Sequence, residues 1–272
     1  MKPESATSQA LYTESLFVEL MKDHHSLNFS FNAQAFQNRL HPSLQSQHGQ
    51  RKGFFGQTSG NLAFDHVNCQ SASMSSVVIG NPYWAETELQ LIAKQQGHAQ
   101  ALLQAYQRYG DNFLNSIKGA FALILVDHNR LRSISCIDRL GQFSLYFAET
   151  PDSWVIASDV SYLLSHPKVD KEITEQGLYN YIYFHMVPAP GTIYRGIQKL
   201  QAAHRLIIDN NHSCIDRYWT PSFSEHSSKN IDEYSEQLRE HLHNSVNRAA
   251  QYSDNTGCFL SGGLDSSSVA GF

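Results

Sequence analysis

The chain has 272 residues, 41% of them hydrophobic, 11% aromatic and 17% charged, enough apolar material for one large domain or two modest ones. A net charge of −5 and a pI near 6.3 offer no basic field for nucleic acid. No apolar run approaches the roughly 20 residues that a membrane span requires, and the N-terminus through Leu20 lacks the apolar centre of a secretory signal, so a cytoplasmic protein is expected. Four cysteines, Cys69, Cys136, Cys214 and Cys258, form no C-x-x-C pair and read as small buried thiols. Fourteen histidines are dispersed; neither His24-His25 nor His241-x-His243 has the i, i+4 spacing that would set two ligands on one helical face.

Residues 1–60 show little periodicity. Ser76–Pro82 is a β-branched run closed by turn residues, hence a strand. Residues 97–109 place Leu102, Leu103, Tyr106 and Tyr109 at helical spacing and stop at Gly110. Gly119–Asp127 is continuously apolar, as in a strand buried on both faces. Asp127–Arg130 turns the chain back into a strand from Leu131 to Asp138, and Ser144–Ala148 and Trp154–Ala157 read as two more strands joined through Pro151-Asp152. A short helix is expected over Ser161–Ser165, and one capped by Thr174 through Tyr183. Strands follow around Thr192–Tyr194 and His204–Asp209. Hairpins with helices gathered between them predict an α+β layered domain.

Composition shifts at Thr220 into a polar, turn-rich stretch that reads as a linker. Asn230 then caps a helix with Glu233 in the capping-box position. Ile231, Tyr234, Leu238, Leu242, Val246 and Ala249 mark one face expected to be buried. Gly257–Leu260 reads as a short strand, and Ser261-Gly-Gly-Leu-Asp-Ser-Ser267 follows at once.

That heptapeptide carries the chemistry. Gly262 and Gly263 allow a tight turn that brings backbone N–H groups against an anion, and a helix starting near Asp265 aims its positive end at the same place. Hydroxyls of Ser261, Ser266 and Ser267 can donate to phosphate oxygens, and Asp265 can hold Mg²⁺. The bland alternative is a Gly-Ser turn that only caps a helix. No G-x-x-x-x-G-K-[ST] loop is present.

The loop from Leu260 and Ser261 through Gly262, Gly263, Leu264, Asp265 and Ser266 to Ser267 resembles that of the ATP pyrophosphatases, which cleave ATP between its α and β phosphates. Upstream, Gly119-Ala-Phe-Ala, Asp138-Arg-Leu-Gly141, Leu145-Tyr146, Ala157-Ser-Asp159, Leu163-Leu164, Pro190-Gly-Thr192 and Tyr218-Trp219 occur in the order seen in asparagine synthetases, so residues 75–272 resemble that family. The resemblance implies a glutaminase-like domain over residues 1–220, of the N-terminal-nucleophile (Ntn) type with four αββα layers. A linker at 221–230 and the helix, strand and pyrophosphate loop that open an α/β adenine-nucleotide-hydrolase-like domain at 231–272 would follow. It implies an ATP- and Mg²⁺-dependent, AMP-forming carbon–nitrogen ligase acting on a small-molecule or peptide carboxylate. The amine donor stays open, a homodimer is allowed, and neither nucleic acid nor membrane is a partner.

Several family features are missing. Met1 is followed by Lys2-Pro3-Glu4-Ser5, and no cysteine precedes Cys69, so the expected thiolate nucleophile is absent. Gly80-Asn81-Pro82 stands where the family has Asn-Gly-Glu, Gln96-Gly97-His98 where it has Gly-Ser-Asp, and Leu200-Gln-Ala-Ala-His204 where it has Leu-Pro-Pro-Gly-His. An inactive glutaminase is the expectation, as in the β-lactam synthetases and lasso peptide cyclases of this family. Asp138 and Arg139 are expected to form a buried ion pair. The chain is expected to be a fragment without synthetase activity by itself, because a strand without a parallel neighbour leaves its backbone groups unpaired. The alternatives are a macrolactam- or β-lactam-forming synthetase relative, or a non-catalytic truncated remnant acting as an interaction module.

Overall fold

The computed structural model describes residues 17–21, 64–69, 74–209, 212–223, 230–250 and 256–272, which fall into two compact units, Met1–Thr220 and Pro221–Phe272. The expectations for residues 1–16 and 22–63 lie outside the described residues. No described helix is long and apolar enough to cross a membrane.

The first unit holds two antiparallel sheets. The larger runs in the order β10-β9-β5-β4-β3-β2, formed by β2 (Phe64–Cys69), β3 (Met74–Trp84), β4 (Ile117–Asp127), β5 (Arg132–Ile137), β9 (His204–Asp209) and β10 (His212–Arg217). The smaller runs β1-β7-β6-β8, from β1 (Phe17–Met21), β6 (Tyr146–Glu149), β7 (Ser153–Ala157) and β8 (Gln198–Lys199). Its helices are α1 (Thr87–Gln96), α2 (His98–Tyr109), α3 (Val160–Ser165) and α4 (Glu175–Phe184).

Successive strand side chains point to opposite faces, so β4 supplies two cores at once. Ala122, Ile124 and Val126 join Val77, Ile79, Phe147, Trp154 and Ile156 between the sheets. Phe121, Leu123 and Leu125 meet Leu89, Leu102, Leu103 and Tyr106 under α1 and α2. A third cluster, Ala148, Val155 and Ala157 with Leu163 of α3, Val169 and Ile197, covers the far face of the smaller sheet. Three apolar gaps define four layers, α1/α2, large sheet, small sheet and α3, the αββα order expected. Each fully buried Leu, Ile or Phe contributes about 1.5–3 kcal/mol over its exposed state, so β4, buried from Phe121 to Asp127, anchors the unit.

β3 runs past the expected Ser76–Pro82 because it pairs with β4 along its whole length, from Met74 opposite Asp127 to Trp84 opposite Ile117. The strand expected at Thr192–Tyr194 reduces to a single bridge between Ile173 and Tyr194. The buried-thiol expectation holds for Cys136, whereas Cys214 and Cys258 are exposed. Cys214 lies on β10, an edge strand whose outer side has no covering layer among the described residues.

In the second unit, α5 (Ile231–Ala250) opens with the expected reciprocal cap: Glu233 N–H donates to Asn230 Oδ1 at 2.9 Å, and Asn230 N–H to Glu233 Oε2 at 3.0 Å. Its expected buried face is not buried. No α5 residue is buried, and Ile231 and Leu238 are 77% and 60% exposed. An apolar helical stripe is buried only where another layer meets it, and the described residues of this unit provide none. Gly257–Leu260 is likewise not a strand, and Phe259 is 97% exposed. A strand exists through its ladder partners, and among the described residues this segment has none.

Candidate functional site

The glycine-serine loop lies between the exposed segment ending at Leu260 and α6 (Leu264–Gly271). Gly262 has φ +79°, a left-handed conformation that a side chain resists, and Gly263 returns to φ −80°, ψ 160° as the residue preceding the helix. Ser266, in the first turn of α6, reaches back across this bend. Its Oγ accepts from Ser261 N–H at 3.2 Å, lies 3.0 Å from Ser261 Oγ and donates to Gly263 C=O at 3.2 Å. Ser261 Oγ also accepts from Gly263 N–H at 3.4 Å. The loop is therefore held closed by its own serines.

No side chain caps α6. Its intrahelical ladder begins with Ser267 N–H donating to Gly263 C=O at 3.1 Å, and the amides of the preceding turn are left for an outside acceptor. Asp265 stands exposed in that turn. Leu260 and Leu264 flank the loop at 68% and 83% exposure. The structure thus brings Ser261, Gly263 and Ser266 together, places Asp265 and Ser267 on the adjoining turn, and leaves the two leucines as apolar borders. Among the described residues no cluster of three or more His, Cys, Asp or Glu side chains could cage a metal ion. The local donors are all oxygens, a carboxylate and hydroxyls, which suits a hard cation sharing its shell with phosphate oxygens and water.

The first unit carries the positions where a glutaminase site would stand. Gly80, Asn81 and Pro82 are part of β3, opposite Phe121, Ala120 and Gly119 of β4. Gly80 has φ +98°, and a Cβ there would come 2.5 Å from Ala120 C=O and 2.6 Å from the Phe143 ring. His98, at the start of α2, accepts from Trp84 Nε1–H at 3.2 Å through Nδ1. Neither Pro82 nor His98 offers the carboxylate that the family places at these two points. No cysteine lies in β1, Phe-Val-Glu-Leu-Met.

Asp138 and Arg139 do not form the expected ion pair. Asp138 is fully buried, and its carboxylate accepts three backbone N–H groups: Leu140 at 3.0 Å and Gln142 at 3.1 Å on Oδ1, and Phe143 at 3.1 Å on Oδ2. These bonds occupy both oxygens of the buried carboxylate, and the Arg139 guanidinium instead lies 5.4 Å over the Trp219 ring. The Asp138 carbonyl accepts from Gly141 and Ala203, tying the 139–143 loop to the turn before β9. Tyr218 O–H donates to Ile137 C=O at 2.8 Å, and burial raises its pKa. The family's Asp-Arg-Leu-Gly motif is thus a loop organiser here, a role that adjacency in sequence did not reveal.

Residues 86–219 match the family model described as a glutamine amidotransferase domain, and residues 237–272 match that of asparagine synthase. Among curated proteins, the chain is 28% identical over 172 residues to an asparagine synthetase [glutamine-hydrolyzing] of Bacillus subtilis (strain 168), covering 62% of this chain and 28% of that protein. It is 26% identical over 221 residues to the amidase chyE of Penicillium rubens, covering 78% and 32%. The chain therefore spans about a third or less of these relatives' lengths. Glutamine phosphoribosylpyrophosphate amidotransferase from B. subtilis, a solved structure, aligns over 90% of this chain and 53% of its own, at 18% identity and a TM-score of 0.41.

Proposed function

Starting from a chain that belongs to the asparagine synthetase family, its amidotransferase-type domain preceding a synthetase-type segment, we propose that residues 260–267 form the pyrophosphate loop of an AMP-forming carbon–nitrogen ligase whose amidotransferase-type domain no longer hydrolyses glutamine. In this reaction a carboxylate oxygen of the acceptor bonds to the α-phosphorus of ATP and pyrophosphate leaves. An amine then bonds to the acyl carbon and AMP leaves with the electron pair of the C–O bond. Aspartate, another small acid or a peptide carboxylate fits the acceptor's role, and an amine other than glutamine-derived ammonia fits the donor's.

One observation carries the reading: a left-handed glycine bend, closed by Ser261 and Ser266, sets the uncapped first turn of α6 beside one exposed carboxylate. Backbone amides and helix polarity there favour the leaving diphosphate. Asp265 would hold Mg²⁺, which supplies charge neutralisation between the phosphates. Ser261 and Ser266 keep the bend, and Ser267 extends a hydroxyl from the same turn.

The test is ³¹P line broadening of pyrophosphate titrated with Mg²⁺ into the purified chain. Broadening that Gly262→Val abolishes and Asp265→Asn makes independent of Mg²⁺ supports the loop; no broadening, or broadening indifferent to both changes, refutes it. Glutamine hydrolysis is assayed in parallel, and glutamate release above the buffer rate would overturn the inactive-glutaminase half. A second reading, a non-catalytic interaction module, is favoured by one feature: neither α5 nor α6 has a buried residue.

A further inference from the structure

The large sheet buries polar groups at the end nearest the β4–β5 turn. Pairing across β4, β5 and β9 sets Asp127, Arg132 and Asp209 side by side. Alternation along the strands puts all three on the face that carries Leu125, Ile134 and Ile207 beneath α2. Tyr106, in the last turn of α2 and 4% exposed, packs into the same apolar cluster. The 3-10 turn Gly110–Asn115 follows at once and supplies Asp111, whose Oδ2 accepts from Arg132 Nη2–H at 2.8 Å.

Two donors in this corner have no acceptor among the described residues. The Tyr106 hydroxyl and Arg132 Nε–H are both sealed from solvent, and neither makes a hydrogen bond. Asp209 Oδ2, 3.8 Å from Arg132 Nε, is beyond hydrogen-bond reach. Burial raises the Tyr106 pKa and a guanidinium keeps its protons, so both groups stay donors across the working pH range. They are also neighbours: the phenol acts on the Arg132 charge more strongly than Asp209 does, so it stands within a few ångströms of the guanidinium. A carboxylate oxygen is available beside them. Asp127 Oδ1 accepts the Asn129 and Arg130 amides, each at 3.1 Å, whereas Oδ2 has Arg130 Nε no nearer than 3.6 Å.

We propose that this corner is a binding site for one ordered water, which accepts from Tyr106 O–H and Arg132 Nε–H and donates to Asp127 Oδ2. About three hydrogen bonds are usual for a buried water, and each of these three groups otherwise lacks a close partner on the atom concerned. A neutral occupant suits the local charge better than an anion does. Asp111, Asp127 and Asp209 outnumber Arg130 and Arg132, so a further negative charge is repelled. The bridge ties the last turn of α2 to the end of the large sheet. It also gives a reason for a hydroxyl and a guanidinium on a face whose other members, Leu125 and Ile134, are apolar. This site is independent of any activity of the glycine-serine loop.

The experiment is a high-resolution crystal structure of the purified chain, native and soaked in bromide, with a double-mutant cycle in urea beside it. The expected density is a single peak about 2.7–3.2 Å from Tyr106 Oη, Arg132 Nε and Asp127 Oδ2, with no anomalous bromine signal on it. Tyr106→Phe and Arg132→Met are expected to shift the urea midpoint together by less than the sum of their separate shifts, because either change alone already breaks the bridge. A position without density overturns the proposal. So does a bromide peak, which would make the occupant an anion, or a pair of shifts that add in full.

Discussion

Replacing Asp138 tests whether one buried carboxylate organises the 139–143 loop. The side chain is fully buried, and its two oxygens accept three backbone N–H groups, two on Oδ1 and one on Oδ2. Hydrogen bonds to a charged group contribute about 1.5–3 kcal/mol each, and an orphaned buried donor costs about 1–3 kcal/mol. The three share one acceptor group and so do not add in full. Leu140 is 75% exposed, so water can reclaim its amide. Asp138→Ala is therefore expected to cost about 3–5 kcal/mol, lowering the melting temperature by about 2–4 °C per kcal/mol for a unit of this size. Asp138→Asn keeps one oxygen for Leu140 and Gln142 but turns an NH₂ toward the Phe143 amide, so about half the loss is expected. Urea unfolding followed by tryptophan fluorescence gives both values. A loss below about 1 kcal/mol for Asp138→Ala, or an Asn variant as damaged as the Ala variant, would refute this account.

Three further outcomes follow from named contacts. Gly80→Ala is expected to cost at least about 3 kcal/mol because the added Cβ meets both backbone and ring at a positive φ. Gly262→Ala, also at positive φ but in open space, is expected to cost only about 1–2 kcal/mol, and equal urea midpoints for the two variants would count against the steric argument. Asp216 has its pKa lowered below the usual 3.8 by the paired Arg205 guanidinium, at 2.8 and 2.9 Å. A depressed carboxylate stabilises above its unfolded-state pKa and loses that contribution as pH falls through its folded-state value. Because the Asp216 side chain is 42% exposed, the effect is under about 1 kcal/mol. Arg205→Gln should flatten the stability change between about pH 5 and pH 2, and an unchanged slope would contradict the pairing. Burial pushes the Cys136 thiol well above its ordinary pKa, so it should resist a thiol reagent until the protein unfolds, while Cys214 and Cys258 react at once. Rapid labelling at Cys136 in the native protein would contradict its burial.

Local signals in the sequence carried what neighbouring residues decide among themselves. The apolar run ending at Asp127, the turn after it and the Asn230–Glu233 cap depend on groups a few positions apart, and each formed as its residues required. The order of short motifs from Gly119 to Trp219 also carried the family, because such motifs record which fold the chain belongs to. β1 was illegible: five residues become a strand only because β7 supplies ladder partners from Ser153 to Ala157.

Tertiary structure decided the outcomes that depend on who stands opposite. Asp138 and Arg139 are adjacent in sequence, yet the carboxylate found three amides of its own loop and the guanidinium found Trp219. Ile231 and Leu238 have the spacing of a buried stripe and are exposed, whereas Leu102 and Leu103, with the same periodicity, are sealed beneath the large sheet. Periodicity states which side chains share a face. Only a second layer, brought there by long-range contacts, removes that face from water.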